Sequence, residues 1–127
     1  MPSVIGVWRL VATSAVDAEG REASPPFGKR PMGVIIFEAE RMIAVSVDAS
    51  VSLPEGAPSR AFGAYSGRYS FDGVELITDV DSASGPDFTG PQVRHIRFES
   101  PTRMVITPVD TALGRETGMR LVWEKVG

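Results

Sequence analysis

Cysteine is absent from this chain of 127 residues, and histidine occurs once, at His95. The first absence removes disulfide frameworks, thiolate nucleophiles and sulfur ligands for zinc or iron, and with them any sign of an oxidising compartment. The second leaves a histidine-based metal site short of ligands and a Ser-His-Asp system dependent on one imidazole. No apolar run approaches the roughly 18 residues of a membrane span, and the start, MPSVIGVWRL, has neither a basic segment nor a long apolar one. A cytoplasmic protein with no membrane partner is the expectation. The 13 basic residues are scattered against 16 acidic ones, for a net charge of −3. A phosphate backbone would find no basic face here, so nucleic acid is not an expected partner. Glycine-rich nucleotide loops, a Walker-type lysine and a G-x-S-x-G elbow are missing too. Neither a metal nor any other cofactor is expected.

What remains is β-pattern. Length and a hydrophobic content of 43% fit one globular domain over residues 1–127. Short β-branched and aromatic runs are punctuated by Gly, Pro, Ser and Asp, with hardly any helical spacing. The runs predict eight strands: Val4–Ala12, Gly33–Glu38, Met42–Ala49, Ala64–Phe71, Val74–Ser82, Gln92–Glu99, Arg103–Pro108 and Gly118–Lys125. A short helix is expected within Pro54–Gly63. Eight antiparallel strands in a meander hide their edges most simply by closing, so the fold class is all-β: a single up-and-down barrel.

Asp72-Gly73 reads as a two-residue hairpin turn, the glycine supplying the positive φ such a turn demands. That register sets Phe71 against Val74, Tyr69 against Leu76, Gly67 against Thr78 and Tyr65 against Val80, with these apolar residues inside. Arg68, Glu75, Asp79 and Asp81 then form a solvated ladder outside. The turns at Glu40-Arg41, Asp72-Gly73 and Pro101-Thr102 are short and fall at one end of the barrel. The connections Thr13–Met32, Val51–Gly63, Ala83–Pro91 and Val109–Thr117 are long and fall at the other. The result is a cup, and eight strands enclose room for packed side chains or one small ligand.

Alternation places Tyr65, Thr78, Val80 and Arg94 towards the mouth. If Ile96 and Phe98 point in, so does Arg94, and His95 points out; a bulge would exchange the two. An inward Arg needs an acceptor: a carboxylate or carbonyl on a bound molecule, or a structural partner such as Asp79, Asp81 or Asp87. Tyr65 and Tyr69 carry hydroxyls into an apolar interior, as pocket residues and rim residues of an ordinary core both do. The expected ligand-binding set is Tyr65, Tyr69, Thr78, Arg94 and Phe62.

Gly6-Val7-Trp8 has the Gly-x-Trp spacing of the first strand in lipocalins and other calycins. The ordered set GVWRLV (6–11), PMGVIIF (31–37), YSGRY (65–69), VRHIRFE (93–99) and LVWE (121–124) resembles the small, stand-alone lipocalin-like domain family over almost the whole chain. The resemblance implies a cup for a small, mostly apolar molecule. It also implies a basic side chain over the Trp8 ring, for which Arg120 is the candidate. Relatives often carry histidines in the fifth strand, where this chain has Ile77, Thr78 and Asp79, so an acid–base role for such histidines does not carry over. Two functions follow. One is a barrel that binds a small hydrophobic molecule bearing a carboxylate or carbonyl. The other is a cofactor-independent isomerase or cyclase in which Tyr65 or Tyr69 donates a proton, Arg94 holds developing oxyanion charge and Asp79 or Asp87 is the base. The face of Asp79 discriminates them. An exposed edge or loop surface could support a homodimer.

Overall fold

A computed structural model describes residues 2–53, 55, 56, 60–88 and 90–127. Its strands are β1 (Gly6–Ala15), β2 (Pro31–Phe37), β3 (Arg41–Asp48), β4 (Phe62–Phe71), β5 (Glu75–Ala83), β6 (Pro91–Ser100), β7 (Arg103–Asp110), β8 (Arg115–Glu116) and β9 (Met119–Lys125). Neighbours pair antiparallel in chain order from β1 to β7, and β9 pairs with both β7 and β1, which closes an eight-stranded barrel. The ninth strand was not legible in the sequence: β8 is a two-residue flap on β7, pairing Val109 with Glu116 and Asp110 with Arg115. Closure gives every barrel strand a neighbour on each side, although the mouth ends of some, such as residues 80–83 of β5 beside β6, extend beyond the paired register. Part of the helix expected over Pro54–Gly63 lies outside the described residues. Of the rest, residues 55 and 56 form a turn and Phe62-Gly63 opens β4. Among the described residues the helical element is a single 3-10 turn, Pro86–Phe88.

The strand ends follow from turn chemistry, and there the sequence reading needs correcting. Phe71 pairs with Leu76 rather than Val74, and Tyr69 with Thr78, so the register is displaced by two residues and the connection, residues 72–74, is three residues long. Asp72 causes this. Its Oδ1 accepts from the backbone N–H of Val74 at 2.9 Å and of Glu75 at 2.7 Å, which stabilises a wider loop than the two-residue turn and turns Val74 out to 60% exposure. Because the displacement is even, the inward face survives. A bulge at Ser66/Gly67 then sets Tyr65 against Ala83 instead of Val80. The β2–β3 hairpin has the same length, with Phe37 opposite Met42.

The closed end is a solid aromatic floor. Trp8 is fully buried, donates from Nε1 to the Val4 carbonyl at 2.8 Å, and meets Phe98 at 6.3 Å between ring centroids. Phe98 touches Phe71, and Phe37 stands edge-on to Tyr69 at 5.1 Å. Arg120 does not cover Trp8. It pairs with Ser14, six residues up β1, while Lys125 is the partner of Trp8. Six residues are roughly 20 Å of strand, beyond the reach of a side chain.

Asp72 and Asp48 both have their carboxyls held below the usual value, chiefly by hydrogen bonds: from Glu75 and Val74 to Asp72, and from Ser50 to Asp48. A folded-state pKa below the unfolded one means stability that is present above about pH 4 and lost as pH falls through the folded value. Thermal unfolding followed from neutral pH to pH 2 should therefore show a steep acid limb that flattens in the Asp48→Asn/Asp72→Asn protein. Parallel curves for the two proteins would remove these carboxylates as its source.

Candidate functional site

Above the floor the barrel is hollow. A cavity of about 330 Å³ is bounded by Ile35, Met42, Leu76, Ile106, Leu121 and Trp123 below and by Pro26, Phe27, Ala61, Phe88 and Met119 at the mouth. Strand β4 serves both regions: Tyr69 and Phe71 pack into the core, while Tyr65 walls the cavity. The volume suits a small, mostly apolar ligand.

The mouth is built by loops. Phe27, in the β1–β2 connection, has φ +60, a left-handed conformation that bulky side chains rarely adopt. Its turn is held in place, because Thr13 donates to the Pro26 carbonyl at 2.8 Å and Gly28 N–H to Pro25 at 3.3 Å. Gly28 lies against the Asp48 carboxylate so closely that a Cβ would sit 2.4 Å from Oδ2. On the other side Phe88 stacks on Tyr65 at 5.0 Å and 26°. Gly63 leaves room between them: a Cβ there would stand 3.2 Å from Phe88 Cζ and 4.0 Å from Phe27 Cζ.

Arg94 lines the cavity and lies over the Tyr65 ring, Cζ to centroid 5.8 Å. It donates to the Val93 carbonyl at 3.1 Å and to Gln92 Oε1 at 3.4 Å. Among the described residues it has no carboxylate partner: Asp81 pairs with Arg41 at 2.8 Å, and Asp79 is exposed on the outer wall opposite Arg68. Asp87 belongs to the 3-10 turn, and its side chain lies outside what is described. His95 faces outward, its Nδ1 2.6 Å from Glu116 of β8 and Nε2 3.6 Å from Glu75.

Of the expected set, the structure brings Tyr65 and Arg94 together on the cavity wall and sends the others elsewhere. Phe62 is 57% exposed, opposite Val47, and Tyr69 donates its hydroxyl to the Glu38 carbonyl near the β2–β3 turn. Burial raises the Tyr69 pKa. Thr78 is fully buried but does not line the cavity, and its hydroxyl lacks a partner.

Lining residues absent from the expected set include Phe27, Phe88, Trp123 and the buried Ser46. Loop aromatics carry no periodic signal, whereas Trp123 could have been found from its two-residue alternation with Leu121. No described residue among the lining is a carboxylate or a histidine, and no group of three or more metal-ligating side chains occurs among the described residues. The site can bury an apolar body and present a cation to its polar end; general acid–base work would need a base from elsewhere.

A family model for the lipocalin-like domain matches residues 5–126. No curated protein matches the chain.

Proposed function

This chain belongs to the lipocalin-like domain family, and from that premise we propose that it binds a small hydrophobic carboxylate, its apolar body in the barrel and its anionic end on Arg94. The observation that carries this reading is an arginine, the one charged residue of the described lining, on a cavity wall that is mostly apolar apart from Ser46 and Tyr65, without a carboxylate partner among the described residues. Desolvation strengthens a guanidinium–carboxylate pair, and the planar fork binds both oxygens. The Tyr65 ring under the guanidinium keeps it over the cavity rather than in solvent.

The competing reading, an isomerase or cyclase, needs a base inside the cup. Asp79 stands outside and the described lining supplies no carboxylate; Asp87, the other candidate base, has a side chain outside what is described. Binding without turnover is therefore favoured.

The test is uptake of 8-anilinonaphthalene-1-sulfonate, an apolar anion. One saturable site with strong fluorescence enhancement is expected, reversed by 2-naphthoate but not by 2-naphthylmethylammonium, which has the same body and the opposite charge. Equal displacement by both competitors, or no uptake, would count against an anion-selective cup.

A further inference from the structure

Ser46 is 8% exposed and lines the cavity from the inner face of β3, which it shares with Met42, Ala44 and Asp48. Most buried side-chain polar atoms are hydrogen-bonded. The Asp48 carboxylate obeys the rule, accepting from the Ser50 backbone N–H at 2.9 Å, but Ser46 Oγ makes no such bond to a described residue. Nor is it sealed in. The sealed, unpaired side-chain atoms among the described residues are Thr78 Oγ1 and Trp123 Nε1, which an occupant of the cavity does not reach; Ser46 Oγ is not one of them, so the surface it keeps opens on the cavity. Its surroundings explain why. Both cross-strand neighbours of Ser46 are glycines, Gly33 on β2 and Gly63 on β4. A Cβ at Gly33 would stand 2.9 Å from Ser46 Oγ, so the hydroxyl leans over a stretch of wall with no side chain to cover it or to bond with it.

We infer that Ser46 is a second anchor of the cup, its hydroxyl bonding an oxygen of the ligand close to the anionic end, a step that rests on the binding reading above. Tyr65 links the two anchors. The Arg94 guanidinium lies over its ring. Ser46, opposite Gly63, is its diagonal neighbour across the β3–β4 ladder, roughly 7 Å away between Cβ atoms. Depth agrees, because a Cβ at Gly63 would meet the ring tips of Phe88 and Phe27, which border the mouth. Below this level the walls are Ile35, Leu76, Ile106 and Leu121, whose side chains have nothing polar to offer. A hydroxyl can donate or accept, so a carbonyl or a hydroxyl on the ligand satisfies it. The ligand class is a hydroxy- or keto-acid with both oxygen-bearing groups at one end and an apolar body beneath.

Two probes of one outline test the anchor: 4-hydroxy-2-naphthoate carries the second oxygen and 4-methyl-2-naphthoate does not. Isothermal titration of the wild-type protein should show the hydroxy acid binding about fivefold tighter, the net contribution of one hydrogen bond. Ser46→Ala should reverse the order, since an apolar wall prefers the methyl group. Its melting temperature should not fall, because the substitution removes an unpaired hydroxyl. The wild-type comparison needs no variant: a methyl acid that binds as tightly as the hydroxy acid would overturn the Ser46 anchor and leave the carboxylate reading standing. A hydroxyl preference that survives Ser46→Ala would do the same, as would a lower melting temperature with equal weakening of both probes, the mark of a structural serine. Failure of both acids to bind the wild-type protein would overturn both readings.

Discussion

Arg94→Met should weaken 2-naphthoate binding about 30-fold while leaving the neutral 2-naphthamide nearly unchanged. A charge-assisted pair in a partly desolvated site contributes roughly 1.5–3 kcal/mol, and methionine keeps most of the apolar stem that covers the Tyr65 ring. Folding should barely respond, within about 1 kcal/mol, because Arg94 gives up two hydrogen bonds within its own strand, at 3.1 and 3.4 Å, and a ring contact at 5.8 Å that the methionine stem partly replaces. The split between the two ligands is the informative readout. Equal losses for acid and amide would mean that Arg94 shapes the wall and holds no anion.

Gly67→Ala should cost about 3 kcal/mol or more, enough to unfold a marginal domain. Gly67 lies at the β4–β5 bulge, where a Cβ would sit 2.0 Å from the Asp79 carbonyl oxygen, 2.8 Å from its carbon and 3.0 Å from Val80 Cα. Those atoms are backbone, so no rotamer change relieves the clash and one strand must leave the other. Gly85→Ala is the control, with nothing within 4 Å of its Cβ. It should fall within about 0.5 kcal/mol of wild type in urea unfolding. Comparable losses at the two positions would show that the β4–β5 contact is looser than the bulge geometry implies.

The barrel was legible because alternation is a strong signal: inward Ile96 and Phe98 carried Arg94 in and sent His95 out with no bulge between them. The Asp72 hairpin was misread in length but not in face, since a two-residue displacement preserves parity. A displacement of one would have exchanged wall and surface. The floor and the wall were not separable from sequence, because Tyr65 and Tyr69 look alike on one strand; only closure shows that one meets Phe88 and the other Phe37. Arg120 was assigned to Trp8 from a resemblance to relatives, and the β1–β9 register places it at the other end. Phe27 and Phe88 come from loops, where position is set by caps and tight turns rather than by period.

The most direct measurement is a titration of isotope-labelled protein with 2-naphthoate, followed by its proton–nitrogen spectrum. An open cup with Arg94 at its mouth predicts saturable shifts gathered on Tyr65, Leu76, Arg94, Ile106 and Leu121, with the outer-wall amides of Arg68, Asp79 and His95 still. Shifts that fail to saturate, or that spread over the outer wall while the cavity amides stay in place, would contradict a binding cavity and leave a barrel with a filled interior.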